Sequence, residues 1–149
     1  MDIFAVKGKT TSWMLTNIKD KLSKNKYDLV YIYGGVNDIF SGIKKDVALS
    51  NLQKMVDLIN VNKSKPYVIT GYDSTKFMDV NKLKKNGYAS KYKPNYIDYQ
   101  NSIKPTIKNA EVINKIDISS LTSDGIHPNS LANQLIANKI LETIKKEIQ

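Results

Sequence analysis

Cysteine and arginine are both absent from this chain, and histidine occurs once, as His127. Without cysteine there is no disulfide and no thiolate metal site, although that does not fix a compartment. Without arginine, the side chain best suited to phosphates and base edges is missing. The net charge of +9, carried by lysine alone, is therefore a weak argument for a specific nucleic-acid partner. The chain is also crowded with Asn, Ile and Tyr, so its lysine content fits an adenine- and thymine-rich coding sequence better than a binding footprint. Some attraction to acidic polymers at low salt is still expected. No apolar run approaches the length of a membrane span, and the opening MDIFAVKGKTTSW does not read as a signal peptide.

What is present is an ordinary globular balance. The 149 residues are 41% hydrophobic and 25% charged, enough for one domain, residues 1–149, with a real core. Residues 2–6 read as a short strand, followed by a turn at Gly8. Thr11 or Ser12 can cap a helix carrying Met14, Ile18 and Leu22 on one face. Residues 28–33 (DLVYIY), 65–72 (KPYVITGY) and 110–118 (AEVINKIDI) read as buried parallel strands. Residues 46–60 form a helix with Val47, Leu52, Met55, Val56 and Ile59 inward. Residues 73–95 read as a long polar loop with one helical turn, and residues 95–108 as a helix that Pro105 kinks or ends. The last helix, residues 129–148, carries Leu131, Leu135, Ile136, Ile140, Ile144 and Ile148 on its stripe. Strands alternating with helices predict an α/β fold, a parallel sheet with helices on both faces. In such sheets functional loops gather at the carboxyl ends of the strands.

His127 is the one side chain with an ordinary pKa near neutrality. It stands in Asp124-Gly125-Ile126-His127-Pro128. An aspartate three residues earlier can fold back across the glycine turn, accept from Nδ1–H, and leave Nε2 free as a base. Pro128 suits the first turn of the helix that follows. Taken alone, the same pentapeptide reads first as a surface Asp-Gly turn with an incidental histidine. Asn37-Asp38 is likewise a turn or helix cap after a strand, and Gly8 a tight turn.

Three stretches in order, AVKGKTTSWM, GGVND and DGIHP, resemble the second, third and fifth conserved blocks of the SGNH hydrolases, also called GDSL esterases. The resemblance spans nearly the whole chain. It implies a three-layer α/β/α, flavodoxin-like parallel sheet and hydrolysis of carboxylic esters without a cofactor or metal. By that resemblance Gly8 supplies a backbone N–H and Asn37 its side-chain amide to an oxyanion hole. His127 is the base and Asp124 its orienter. The chemistry asks for such groups, because acyl transfer builds negative charge on the carbonyl oxygen and preorganised amide donors stabilise it.

The resemblance also implies a first block, a strand ending in Gly-Asp-Ser with the nucleophilic serine, some tens of residues before Gly8. That block is not among these residues, and its strand belongs mid-sheet, between those matching residues 2–6 and 28–33. Three explanations stay open: these residues are the larger piece of a split or mis-started gene, with the first strand supplied by a separate polypeptide; the domain is an inactive binding or structural relic; or another serine serves. Ser74, in Gly71-Tyr72-Asp73-Ser74, is the nearest substitute; Ser12 reads as a helix cap and Ser41 as a loop residue. Asp38, Asp73, Asp124 and His127 match no metal-ligand spacing. The expected substrate is a small-molecule or glycan ester, since the tyrosine- and lysine-rich stretch 82–96 reads as a polar lid.

Overall fold

The apolar run Leu29–Ile32 (β1), with β-branched and aromatic residues, pairs in parallel with Lys65–Ile69 (β2), which pairs in parallel with Glu111–Ile113 (β3). In the computed structural model these form a three-stranded sheet in the order β1-β2-β3. The structure describes residues 1–77 (backbone alone at 76 and 77), 79–87, 89, 91–117 and 127–149. Around the sheet lie α1 (Thr11–Lys24), α2 (Val36–Phe40), α3 (Lys45–Val61), α4 (Ser74–Phe77), α5 (Val80–Lys85), α6 (Tyr92–Thr106) and α7 (Ser130–Ile148).

Strand side chains alternate between faces, and the two cores follow that period of two. Val30, Ile32, Val68 and Val112 face α1, α3 and α6, in a core with Leu52, Met55, Val56, Ile59, Tyr99 and Ile103. Leu29, Tyr31, Tyr67, Ile69 and Ile113 face the other way and meet Ile140 of α7. The layering is therefore α/β/α, with a single described helix on the second face. That helix is anchored along its length. Tyr31 and Thr143 share a hydrogen bond at 2.6 Å, and Glu147 accepts from both the Lys65 ammonium and the Tyr67 hydroxyl. Tyr72, just beyond β2, donates to Asn133 near the start of α7 at 3.1 Å. So α7 runs antiparallel to the strands, its first residues at their carboxyl ends.

Several expectations are corrected. Residues 2–6 form no strand; they are exposed and join no ladder among the described residues. Val47 is 47% exposed, and Ala48 and Leu49, four and three residues before Leu52, are buried on the stripe in its stead. Leu131 and Ile148, placed on the apolar stripe of α7, are 55% and 80% exposed at its ends. The stretch 73–95 holds α4, α5 and the start of α6 rather than a long loop. Asp79 caps α5, its carboxylate accepting from the Asn81 and Lys82 N–H groups at 2.8 and 2.9 Å. Pro105, as expected, ends α6: it sits in the last turn and the helix stops one residue later, which spares the interior the break proline causes. Pro128 precedes the cap of α7; Asn129 is that cap, accepting from Ala132 N–H at 3.0 Å. No helix among the described residues is long and apolar enough to cross a membrane.

Candidate active site at the carboxyl edge of the sheet

β1 ends in Gly34-Gly35, and neither position has room for a side chain. A Cβ on Gly34 would lie 2.4 Å from the Met14 sulfur, and one on Gly35 would lie 2.1 Å from the Tyr99 hydroxyl oxygen. Gly35 also takes φ +102°, a conformation that favours glycine. The chain thereby turns at once into α2, while the Tyr99 hydroxyl donates to Gly34 carbonyl at 2.8 Å. This turn delivers Asn37 to the carboxyl edge.

There Asn37 meets the Gly8 turn. Its Nδ2 donates to Lys9 carbonyl at 3.0 Å, and Gly8, exposed at φ +75°, begins the same turn. Residues 28 positions apart in the chain thus meet at this turn, the Asn37 side chain bonded to the backbone of Lys9.

Beneath them lies a buried polar network that sequence reasoning did not find. Asp38 is fully buried. Its carboxylate accepts from the Thr11 backbone N–H at 2.8 Å and from the Thr11 hydroxyl at 2.6 Å. The Asn51 amide then donates to the Thr11 and Ser12 hydroxyls at 3.0 and 3.1 Å. Neither Thr11 nor Ser12 caps α1, and Thr10, at the cap position, makes no side-chain cap bond. Asp38 performs that task from another element. Its negative charge sits at the N-terminal end of α1, where the exposed N–H groups and helix dipole favour it. The network rigidly couples the helix after Gly8 to the helix that carries Asn37. Only the pairing of α1 with α2 and α3 reveals it; in sequence, Asp38 is one more polar residue after a strand.

His127 is exposed and stands three residues before α7, whose first residues are held at this same edge by Tyr72 and Asn133. Asp124 lies outside the described residues. Ser74 is fully buried, its hydroxyl turned back 3.4 Å to the Tyr72 carbonyl, which withholds it from any substrate. Ser12 is engaged by Asn51, and Ser41 ends α2.

One wall of the edge is aromatic. Phe40 packs against Tyr92 and Tyr96 with centroids 5.3 and 6.3 Å apart, and Tyr96 stacks on Tyr99 at 6.0 Å. Burial pushes the Tyr96 and Tyr99 hydroxyls well above the ordinary phenol range and that of Tyr72 up to about 12, so all three stay neutral near pH 7. Gln100 ties this wall to the sheet, donating to the carbonyls of Thr70 and Tyr72 at 3.0 and 2.6 Å. Among the described residues no cluster of three or more metal-ligating side chains occurs.

Known proteins agree with this architecture. The chain is similar to a GDSL-like lipase from Bacteroides thetaiotaomicron, at 17% identity and TM-score 0.68, over 94% of this chain and 73% of that one. It is similar to the psychrotrophic esterase EstA from Pseudoalteromonas at 21% identity and TM-score 0.63, over 95% and 74%. An acetyl xylan esterase aligns at 16% identity and TM-score 0.69, over 93% and 78%. At these identities the likeness is one of fold. Among curated protein sequences, none matches. The sequence itself matches the family described as GDSL-like Lipase/Acylhydrolase across residues 3–140, nearly its full length, and the chain belongs to that family of ester hydrolases.

Proposed function

We propose that this domain hydrolyses carboxylic esters through an acyl-enzyme, with Gly8, Asn37, His127 and Asp124 as its share of the machinery. The observation that supports the reading is the hydrogen bond from the Asn37 amide to the Lys9 carbonyl, which brings Asn37 to the turn that Gly8 begins. In the reaction a serine oxygen attacks the ester carbonyl while its proton passes to Nε2 of His127. The carbonyl oxygen, now negative, is held by the Gly8 N–H and the Asn37 amide. His127 returns the proton to the departing alkoxide, and water then hydrolyses the acyl-serine by the same steps. Asp124 keeps the imidazole in the required tautomer.

The nucleophile comes from outside the described residues, since Ser74 is buried and Ser12 is committed to the Asp38 network. A separate polypeptide that brings both a strand and a serine is the source this reading favours. The substrate is a small acyl group on a glycan or other polar alcohol. The aromatic wall at Phe40, Tyr92 and Tyr96 supports this, as does the fold shared with an acetyl xylan esterase. The commitment of the nearby serines also favours a second reading, an inactive domain that binds without turnover. A fluorophosphonate probe separates the two. Labelling of the active species, lost in His127→Ala together with release of p-nitrophenol from its acetate ester, supports hydrolysis. Silence in every preparation supports the inactive domain.

A further inference from the structure

The lysine excess is not spread evenly. Between Asp79 and Asp98 the chain carries five lysines and no acidic residue, whereas the whole chain sets 14 acidic residues against 23 lysines. Both flanking acids are committed. Asp98 pairs with Lys45 at 2.8 Å, and Asp79 caps α5. The other ion pairs among the described residues, Lys24–Asp20, Lys65–Glu147 and Lys139–Glu142, also use lysines outside this stretch.

The fold gathers these lysines beside the candidate site. Leu83 is fully buried in the main core and pins α5, which leaves Lys82, Lys84 and Lys85 exposed around it. Asp79 is held below its ordinary 3.8 first by the Lys82 and Asn81 N–H groups, and then by the Lys82 and Lys93 ammonium groups. The start of α6 therefore lies beside the start of α5. There the Lys91 ammonium sits 5.6 Å from the centre of the Tyr92 ring, and that ring packs on Phe40 at 5.3 Å. Phe40 follows Asn37 by three residues on α2, so the two share a helix face. A path of side-chain contacts thus joins the lysine rim to Asn37.

We propose that the rim formed by Lys82, Lys84, Lys85, Lys91 and Lys93 binds an acidic glycan, a sugar chain with carboxylate or phosphate groups along it, and that this glycan carries the ester to be cleaved. Lysine is a compact point charge without the fork of arginine, so a row of lysines holds a polyanion in many registers rather than one fixed group. Charges of one sign beside a site raise the local concentration of oppositely charged substrate there. The flat faces of Phe40 and Tyr92 suit the apolar side of a sugar ring. A nucleic acid would satisfy the charge, but it carries no carboxylic ester. That the bound glycan is also the substrate rests on the ester-hydrolase reading; the binding rests on the lysines.

The test is fluorescence polarisation of a labelled oligogalacturonate, about ten sugars long, titrated with the whole chain. Binding should weaken by about tenfold or more between about 50 and 200 mM salt. Dextran of the same length, which is neutral, should not bind; phosphorylated dextran set against oligogalacturonate tells which anion the rim prefers. Lys82→Gln/Lys85→Gln/Lys93→Gln should weaken binding by about tenfold, and Lys91→Gln, a single exposed change, by about two- to threefold. Lys26→Gln/Lys145→Gln/Lys146→Gln removes the same charge at the opposite end of the sheet and should leave binding within about twofold. An equal loss in that control overturns the proposal, because net charge alone would then explain the attraction. Equal binding of dextran overturns it, as does tighter binding of an oligothymidylate, which would assign the rim to nucleic acid. In the species that hydrolyses ester, acetylated oligogalacturonate should be preferred to acetylated xylan by about tenfold in kcat/KM, and the rim triple variant should erase that preference. Glycan binding without fluorophosphonate labelling leaves the rim standing and removes the substrate claim. Labelling without glycan binding overturns the rim and leaves the hydrolase reading intact.

Discussion

Replacing Asp38 by alanine removes two hydrogen bonds to a carboxylate, from Thr11 N–H and from the Thr11 hydroxyl, and leaves both donors buried. Hydrogen bonds to charged groups contribute about 1.5–3 kcal/mol each, so Asp38→Ala should cost about 3–6 kcal/mol. Set against a domain stability of about 5–15 kcal/mol, that is a large fraction of the whole. At about 2–4 °C per kcal/mol for a chain of this size, the melting temperature should fall by about 6–24 °C. Asp38→Asn retains one acceptor for the Thr11 N–H and should cost about half as much. Urea and thermal unfolding followed by circular dichroism measure both. A double-mutant cycle with Thr11→Val isolates the side-chain bond, and its coupling should reach about 1.5 kcal/mol or more. A loss below about 1 kcal/mol in Asp38→Ala, or strict additivity with Thr11→Val, would refute the claim that this carboxylate holds α1 to α2.

Asn37→Ala should reduce ester turnover by about 10²–10³-fold in the species that hydrolyses ester, while leaving the melting temperature nearly unchanged. An equal fall in stability and rate would instead make Asn37 a structural residue. Gly35→Ala puts a methyl group 2.1 Å from the Tyr99 oxygen and 2.3 Å from its ring carbon, at φ +102°. Denaturant titration should show a loss of at least about 2 kcal/mol, and Tyr99→Phe should not rescue it, because the ring stays in place. Hydrogen bonds from Lys65 and then Tyr67 hold Glu147 below its ordinary 4.5, and the bond to Glu147 holds Lys65 above 10.5. The Glu147 contribution is complete above pH 4.5 and disappears as pH falls through the lower folded value. That of Lys65 is complete below 10.5 and disappears as pH rises through the higher folded value. Glu147→Gln should therefore flatten the acid limb of the stability–pH curve; an unchanged limb would show that α7 is anchored by its apolar contacts alone.

Sequence by itself determined the class of fold. The runs around Leu29–Ile32 and Lys65–Ile69 could only be buried strands, and the stripe of α7 fixed the long helix that covers the second face. It also identified Gly8, Asn37 and His127 as the residues to follow, because glycine after a strand, asparagine after a double glycine and a single histidine before a helix are local patterns. Tertiary structure decided which of these meet. Asn37 reaches Lys9 just after the Gly34-Gly35 turn, which is packed against Met14 and Tyr99 of two helices distant in sequence. It demoted residues 2–6 from strand to exposed chain, since strand propensity forms nothing without a partner to complete its hydrogen bonds. It gave Asp38 its role as a cap for α1, where Thr11 and Ser12 looked sufficient. Local patterns are written in neighbouring residues and their periods. Caps borrowed across the fold and turns packed against remote helices depend on which distant backbones pack together, and no window of sequence contains that.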